Sequence, residues 1–386
     1  MMKRFYMAVG ILLSMCVVAN AEGLKDALGG SFLVGTALNT QQTGMGGDER
    51  VSRVIEENFN CIVAENCMKP ESLQPSEGKF RWRKADRFVE FGEKHGMTVI
   101  GHVLVWHAQT PEWFFKNAEG GDATREQLIG RMRSHIYAVV GRYKGRIKGW
   151  DVVNEAFEDD GSYRQSPWYR IIGPDYIELA FRFAHEADPG AELYYNDFSM
   201  SVPAKRQAVC RVVKALKEKG VRIDGVGMQS HNGLTWPSLS DYEASIDAFA
   251  DLGVNVMITE LDMNVLPNPS SFSGAEVSQS FDYNEAMDPY KNGLPDDVAK
   301  TINRRWVEFF EVYKRHEHQI SRVCVWGVSD GQSWMNDWPI AGRTAYPLMF
   351  DREYNPKPMI REIIEMYKNK WTSGQVNEWT SKRVDK

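Results

Sequence analysis

The chain has 386 residues and a formal net charge of -6, with 46 Lys and Arg against 52 Asp and Glu. That length allows a large core, and an acidic balance without a basic block argues against a nucleic-acid-binding surface. Hydrophobic residues make up 43% and charged residues 25%, ordinary for a globular protein, so the distinctive feature is aromatic: 12 Trp, 15 Tyr and 18 Phe. Sugar rings are among the ligands that stack on such side chains, a question that composition raises without answering.

At the N-terminus, Lys3 and Arg4 precede an apolar run over 5–18 that ends in Ala19-Asn20-Ala21. A basic start, a short apolar stretch and an A-x-A site predict a signal peptide over 1–21, hence periplasmic or extracellular residence. A buried first helix is one alternative. A lipoprotein signal is another, although Met15 stands where a small residue should precede Cys16. No later run approaches the roughly 18 apolar residues of a membrane span. Beyond the leader, Cys61, Cys67, Cys210 and Cys324 are too sparse for a disulfide framework and form no C-x-x-C pair. Neighbours Ile62, Val63, Val209, Val323 and Val325 suggest burial for Cys61, Cys210 and Cys324.

In chain order, short apolar runs predict strands at about 31–39, 59–65, 98–106, 148–154, 191–196, 225–231, 255–261 and 322–328. Several carry three or four consecutive apolar residues, as strands covered on both faces do. Helical periodicity fills the intervals, as in 176–188 and in 204–220, which stops at Gly220. Eight βα units without a linker predict a single α/β domain over 22–370, a (β/α)₈ TIM barrel, followed by a polar tail over 371–386. An open doubly wound sheet is the competing architecture. One connection, 264–298, holds four Pro and four aromatic residues and is long for a βα loop. It follows the seventh strand, so it either walls the catalytic face or decorates the surface.

The strand ends are unusually polar. Strand two runs into Glu65, Asn66 and Lys69; strand three contains His102 and leads to Trp106, His107 and Gln109. Strand four ends in Asn154-Glu155, strand five in Asn196-Asp197, and strand six in Gln229-Ser230-His231. Strand seven ends Glu260-Leu261-Asp262, and strand eight contributes Trp326 and Asp330. In a barrel these C-terminal ends share one face, where catalytic residues collect. Some of the residues, such as Asp197 and Asp330, also read as caps or buried hydrogen-bond partners. Glu155 and Glu260 each follow a hydrophobic strand, and two such carboxylates suit glycosidic bond cleavage, where one donates a proton and the other stays ionised. Pairing with Arg or Lys is the structural alternative.

Six segments taken together make the pattern specific: 63–71 (VAENCMKPE), 101–113 (GHVLVWHAQTPEW), 150–157 (WDVVNEAF), 224–231 (DGVGMQSH), 258–263 (ITELDM) and 325–334 (VWGVSDGQSW). In this order and spacing the chain resembles the endo-β-1,4-xylanases of glycoside hydrolase family 10, from about residue 30 to about 368. The resemblance implies that Glu155 is the general acid/base and Glu260 the nucleophile of a retaining double displacement, about 5–5.5 Å apart. It further implies that Glu155 starts protonated, that His231 bonds the nucleophile with Asp262 behind it, and that Asn154 meets the sugar 2-hydroxyl. Glu65, Asn66, Lys69, His102, Gln109 and Gln229 match substrate-binding positions. Trp106, Trp326 and Trp334 match aromatic walls and a lid, and Trp326 and Trp334 would crowd the space that a C6 hydroxymethyl needs. Arg343 and Tyr346 are candidates for the rim, and Trp82, Trp113 and Trp150 read as core or support. The expected partners are xylan and xylo-oligosaccharides, handled by a monomer without cofactor or metal and without an appended carbohydrate-binding module.

Overall fold

The computed structural model describes residues 22–44, 48–272 and 278–368. The expected leader (1–21) and tail (371–386) lie outside the described residues, as do residues 273–277 of the long connection. The strands are β1 (Leu33–Leu38), β2 (Cys61–Ala64), β3 (Thr98–Val105), β4 (Gly149–Asn154), β5 (Glu192–Asp197), β6 (Gly225–Met228), β7 (His231–Gly233), β8 (Asn255–Asn264) and β9 (Ile320–Val325). The helices are α1 (Leu24–Leu28), α2 (Glu49–Asn58), α3 (Pro70–Leu73), α4 (Arg83–Lys94), α5 (Arg125–Arg142), α6 (Pro167–Ile172), α7 (Tyr176–Ala187), α8 (Pro203–Glu218), α9 (Leu239–Ala250), α10 (Asp296–Arg315) and α11 (Pro358–Lys368).

Every strand pairing is parallel, and the ring runs β1-β2-β3-β4-β5-β6-β8-β9 and back to β1. The β6–β8 pairing closes it, with Gly225 opposite Asn255 and Met228 opposite Ile258, so the open sheet is excluded and the (β/α)₈ barrel stands. Each predicted strand is present. The addition is β7, three residues that pair with an extension of β8 and set His231 opposite Asp262.

Amphipathic helices cover the barrel. In α8, Ala208, Val209, Val213 and Leu216 face inward. That face leaves Cys210, about 100° further round the helix, half-buried rather than buried, a correction to its expected environment. Cys61, Cys67 and Cys324 are buried free thiols. Inside the barrel, Cys61 and Cys324 lie opposite Gly35 on the two strands flanking it. A Cβ on Gly35 would fall 2.4 Å from Cys324 Sγ, so the missing side chain is what makes room between the strands.

The barrel interior also carries charge. Arg322 lies over the Tyr194 ring at 4.6 Å and 3.7 Å from Asp151, whose other oxygen is 3.0 Å from His102 Nδ1. Buried charges persist where they are paired, and this set supports His102 from below. Asp197 and Asp330 are likewise internal partners: Asp197 is 2.9 Å from Lys205 Nζ, and Asp330 is 2.7 Å from Lys357 Nζ. Trp150 is in the core, Trp82 stacks on Phe80 with centroids 4.5 Å apart, and Trp113 donates to the Gln74 carbonyl.

Candidate active site

The C-terminal ends of the strands open into a cleft of about 670 Å³. Its walls include both glutamates, Glu155 just beyond β4 and Glu260 within β8. Glu155 sits at φ 57°, in the left-handed region that costs a side-chain-bearing residue energy, and its N–H is tied to the Asn196 carbonyl at 2.9 Å. Gln109, Ser199 and Ser230 share positive φ, so the strained backbone gathers at this mouth.

The two carboxylates have different surroundings. Glu155 Oε1 accepts from Asn154 Nδ2 at 3.0 Å and Gln229 Nε2 at 2.9 Å, and Oε2 accepts from Trp106 Nε1 at 2.9 Å. His107 Nδ1 is 3.9 Å from Oε2. Burial pushes the Glu155 carboxyl up, but His107, the Gln229 and Trp106 hydrogen bonds and the Arg164 charge together outweigh it, leaving it below the usual range. In the open cleft these donors and charges favour the ionised form of Glu155.

Glu260 Oε1 accepts from Asn196 Nδ2 at 2.8 Å, and Oε2 is 3.3 Å from His231 Nε2. The other face of His231 meets Asp262, with Nδ1 at 2.9 and 3.0 Å from its two oxygens. Burial alone would depress the His231 imidazolium. The Asp262 carboxylate and the hydrogen bonds to Asp262 and Glu260 override that and push it up to about 10. Asp262 is fully buried behind the cleft wall and also accepts from Trp334 Nε1 at 2.9 Å. Desolvation raises its carboxyl, opposed by His231 and Trp334. His231 is therefore an imidazolium clamped between two carboxylates, a charge-assisted donor aimed at Glu260.

One amide joins the two halves. Asn196 Nδ2, besides bonding Glu260, donates to Asn154 Oδ1 at 3.0 Å, while its Oδ1 accepts from Thr259 Oγ1 at 2.7 Å. Gly227 makes the space, since a Cβ there would lie 2.3 Å from Asn196 Oδ1. Sequence reasoning placed Asn196 at a strand end and gave it no site role. Its only signal was an amide at a strand end, and the fold had to bring it to Glu260.

Around this centre the cleft is bordered by Glu65, Asn66, Lys69, His102, Trp106, Gln109, Asn154, Gln229, Trp326, Trp334 and Arg343. Lys69 Nζ donates to Asn66 Oδ1 at 2.9 Å and Gln109 Oε1 at 2.7 Å and lies 4.9 Å from the Trp106 centroid. Burial lowers Lys69 against the pull of Glu260, Glu65 and Glu155, and it raises Glu65 against the pull of Lys69. Trp326 packs edge-on to His102 at 5.3 Å and Trp334 edge-on to His231 at 5.2 Å.

Tyr346, the other rim candidate, is not among the residues that border this cleft and turns toward the long connection. Its hydroxyl donates to the Tyr290 carbonyl at 3.1 Å and the Arg352 guanidinium lies 5.5 Å from its ring. It is one of several ties between the long connection and the segment after β9. Asp288 accepts from the Thr344 N–H at 2.9 Å, and Arg343 donates to the carbonyls of Pro267 and Trp338, both at 3.1 Å. Leu266, Asn268 and Phe272 of the connection border the cleft, so it forms part of the wall.

A closed (β/α)₈ barrel with two glutamates bordering one aromatic-walled cleft is the arrangement of a glycoside hydrolase. The chain belongs to glycosyl hydrolase family 10, whose profile matches residues 23–366. It is 55% identical over 366 residues to endo-1,4-beta-xylanase A of Xylanibacter ruminicola, covering 95% of this chain and 99% of that protein. Among solved structures, a GH10 endoxylanase from a sugarcane soil metagenome superposes with a TM-score of 0.86 at 46% identity, covering 89% of this chain and all of that one. An intracellular xylanase from Thermoanaerobacterium saccharolyticum, solved as a mutant with xylotriose, superposes with a TM-score of 0.77 at 36% identity, covering 89% and 99% of the two chains.

Proposed function

We propose that the protein hydrolyses internal β-1,4-xylosidic bonds of xylan with retention of configuration. The observation that carries this reading is the pair of glutamates in one cleft with unlike supports: Glu155 among the neutral donors Asn154, Gln229 and Trp106, and Glu260 between Asn196 and a charged His231. The xylanase names of the relatives support the substrate. Glu260, with Asn196 and His231 fixing one oxygen each, attacks the anomeric carbon, and Glu155 gives its proton to the departing oxygen. The proton enters when substrate fills the cleft, because two carboxylates stripped of water in one site do not both stay ionised. Once Glu260 is esterified its charge is gone, the Glu155 carboxyl drops again, and Glu155 acts as base toward the water that releases the product.

Asn154 and Gln229 serve the sugar in the bond-breaking subsite, and Glu65, Asn66, Lys69 and His102 serve the units on the non-reducing side. Trp106, Trp326 and Trp334 pack against xylose faces, and Trp326 and Trp334 crowd the space a hydroxymethyl group would need. In this account residues 1–21 direct export. Incubating the protein with xylan and following chain length tests the substrate, and proton NMR of the first products tests the stereochemistry. A mixture of shortened chains and an initial β-anomer are expected. No cleavage, or xylose released singly from chain ends, would overturn the endo-xylanase reading, and an initial α-anomer would overturn retention.

A further inference from the structure

Asp197 and Lys205 are buried charges that the mechanism leaves unused. They and Tyr195 are buried without bordering the cleft. Side chains alternate along β5, so Asn196 reaches inward to Glu260 while Tyr195 and Asp197 share the outer face, toward the helices. Behind the site they form a chain of contacts. Lys205 Nζ, from α8, is 2.9 Å from Asp197 Oδ1 and 3.3 Å from Asp159 Oδ1. Asp197 Oδ2 accepts from the Tyr195 hydroxyl at 2.5 Å, and the Tyr195 oxygen accepts in turn from the Ala156 N–H at 3.1 Å.

Each link sets the direction of the next. Burial pushes the Asp197 carboxyl up to about 6 against the pull of Lys205, so near neutral pH it is ionised and only accepts. The Tyr195 hydroxyl has one hydrogen, and the carboxylate takes it. Its lone pairs are then left for the Ala156 N–H.

The chain ends on the peptide that follows Glu155. Glu155 has its backbone at φ 57°, and such a conformation persists only where the surroundings over-determine it. The β4–β5 ladder ends with Asn154 opposite Asn196, so the turn beyond it needs other ties. The Glu155 N–H is bonded to the Asn196 carbonyl at 2.9 Å, and Arg164 Nε donates to the Glu155 carbonyl at 3.0 Å. Tyr195 adds the third tie, at the Ala156 nitrogen. The peptide unit between Glu155 and Ala156 is thus gripped at its oxygen by Arg164 and at its nitrogen by Tyr195. A rotation of that unit would swing the Glu155 side chain with it.

We infer that Tyr195 is a positioning residue for the acid/base: its hydroxyl, aimed by Asp197 and Lys205, holds the Glu155–Ala156 peptide in the turn that directs the Glu155 carboxyl into the cleft. This rests on the reading of Glu155 as acid/base and adds to it a support from outside the barrel. The test uses two leaving groups. Dinitrophenolate departs from an aryl β-xylobioside without a proton, whereas phenol needs one from the acid. Tyr195→Phe keeps the ring and removes the hydroxyl. Its kcat/KM on phenyl β-xylobioside should fall about tenfold, the scale of one hydrogen bond felt in the transition state. On the dinitrophenyl substrate it should stay within about twofold of the parent. Asp197→Asn, which keeps the hydroxyl but not the carboxylate that aims it, should show the same split more weakly, so the inference does not hang on one variant. Equal falls on both substrates, as a general loss of structure would give, or no change on the phenyl substrate, would overturn the role. Glu155→Ala is the reference and should show the split in its strongest form. Equal losses in that variant would instead overturn the reading of Glu155 on which the inference stands.

Discussion

Replacing Asn196 by Ala removes the amide that links the two catalytic halves. Asn196 is fully buried, with its Nδ2 2.8 Å from Glu260 and 3.0 Å from Asn154 and its Oδ1 2.7 Å from the Thr259 hydroxyl. A hydrogen bond to a charged group contributes about 1.5–3 kcal/mol. If it is felt in the transition state, kcat/KM should fall about 10- to 150-fold. Asn154 keeps its bond from Gln229 at 3.2 Å, so the loss should concentrate on Glu260 and on the step in which it attacks. The Thr259 hydroxyl loses its acceptor, with a stability cost of about 1–3 kcal/mol. Aryl xylobiosides of graded leaving-group ability separate bond cleavage from ester hydrolysis, and thermal melts report stability. An Asn196→Ala protein that turned over within about threefold of the parent would refute the claim that this amide positions the nucleophile.

Three further outcomes follow from the same geometry. Gly227→Ala should act like a milder Asn196 variant, since the added Cβ would lie 2.3 Å from Asn196 Oδ1 and 2.8 Å from Thr259 Cγ2; an unchanged kcat would show that the amide yields freely. His231 has a folded pKa of about 10, raised above its unfolded value of about 6.5, so its stabilisation is complete below about pH 6.5 and is lost as pH rises toward 10. Denaturant midpoints of the parent and His231→Gln should converge over that window, and a gap independent of pH would contradict the clamp. Lys205→Met should destabilise by about 3–5 kcal/mol in denaturant titration, because it leaves Asp197 buried without the cation at 2.9 Å; a loss below about 1 kcal/mol would show that Asp197 needs no counter-ion.

The barrel strands were legible because parallel strands covered on both faces read as unbroken apolar runs, such as Val256 to Ile258 and Val323 to Val325. β7 was not: His231, Asn232 and Gly233 carry no strand pattern, and they pair only because β8 extends past the barrel to Asn264. Glu155 and Glu260 were visible as charges ending apolar runs, and the fold brings them to one cleft together with the motif residues. What the pattern could not convey is how that cleft is supported. The positive φ of Glu155, the bridging amide of Asn196 and the charged state of His231 each depend on neighbours distant in the chain. Of the two rim candidates, Arg343 borders the cleft, and the Tyr346 hydroxyl turns to the Tyr290 carbonyl. Among the described residues the aromatic side chains divide among the cleft walls, the ring clusters of the core, and the exposed rings of Tyr137, Trp236 and Tyr283.

The account centres on Glu260 as the nucleophile, and covalent trapping tests that most directly. A 2-deoxy-2-fluoro-β-xylobioside with an activated leaving group slows both steps of a double displacement, more so the hydrolysis of the ester, and peptide mass mapping locates the sugar. The account predicts one fluoroxylobiosyl group per molecule, on the peptide containing Glu260, with activity lost in step. A label on another residue, or no label while the probe is hydrolysed, would contradict it.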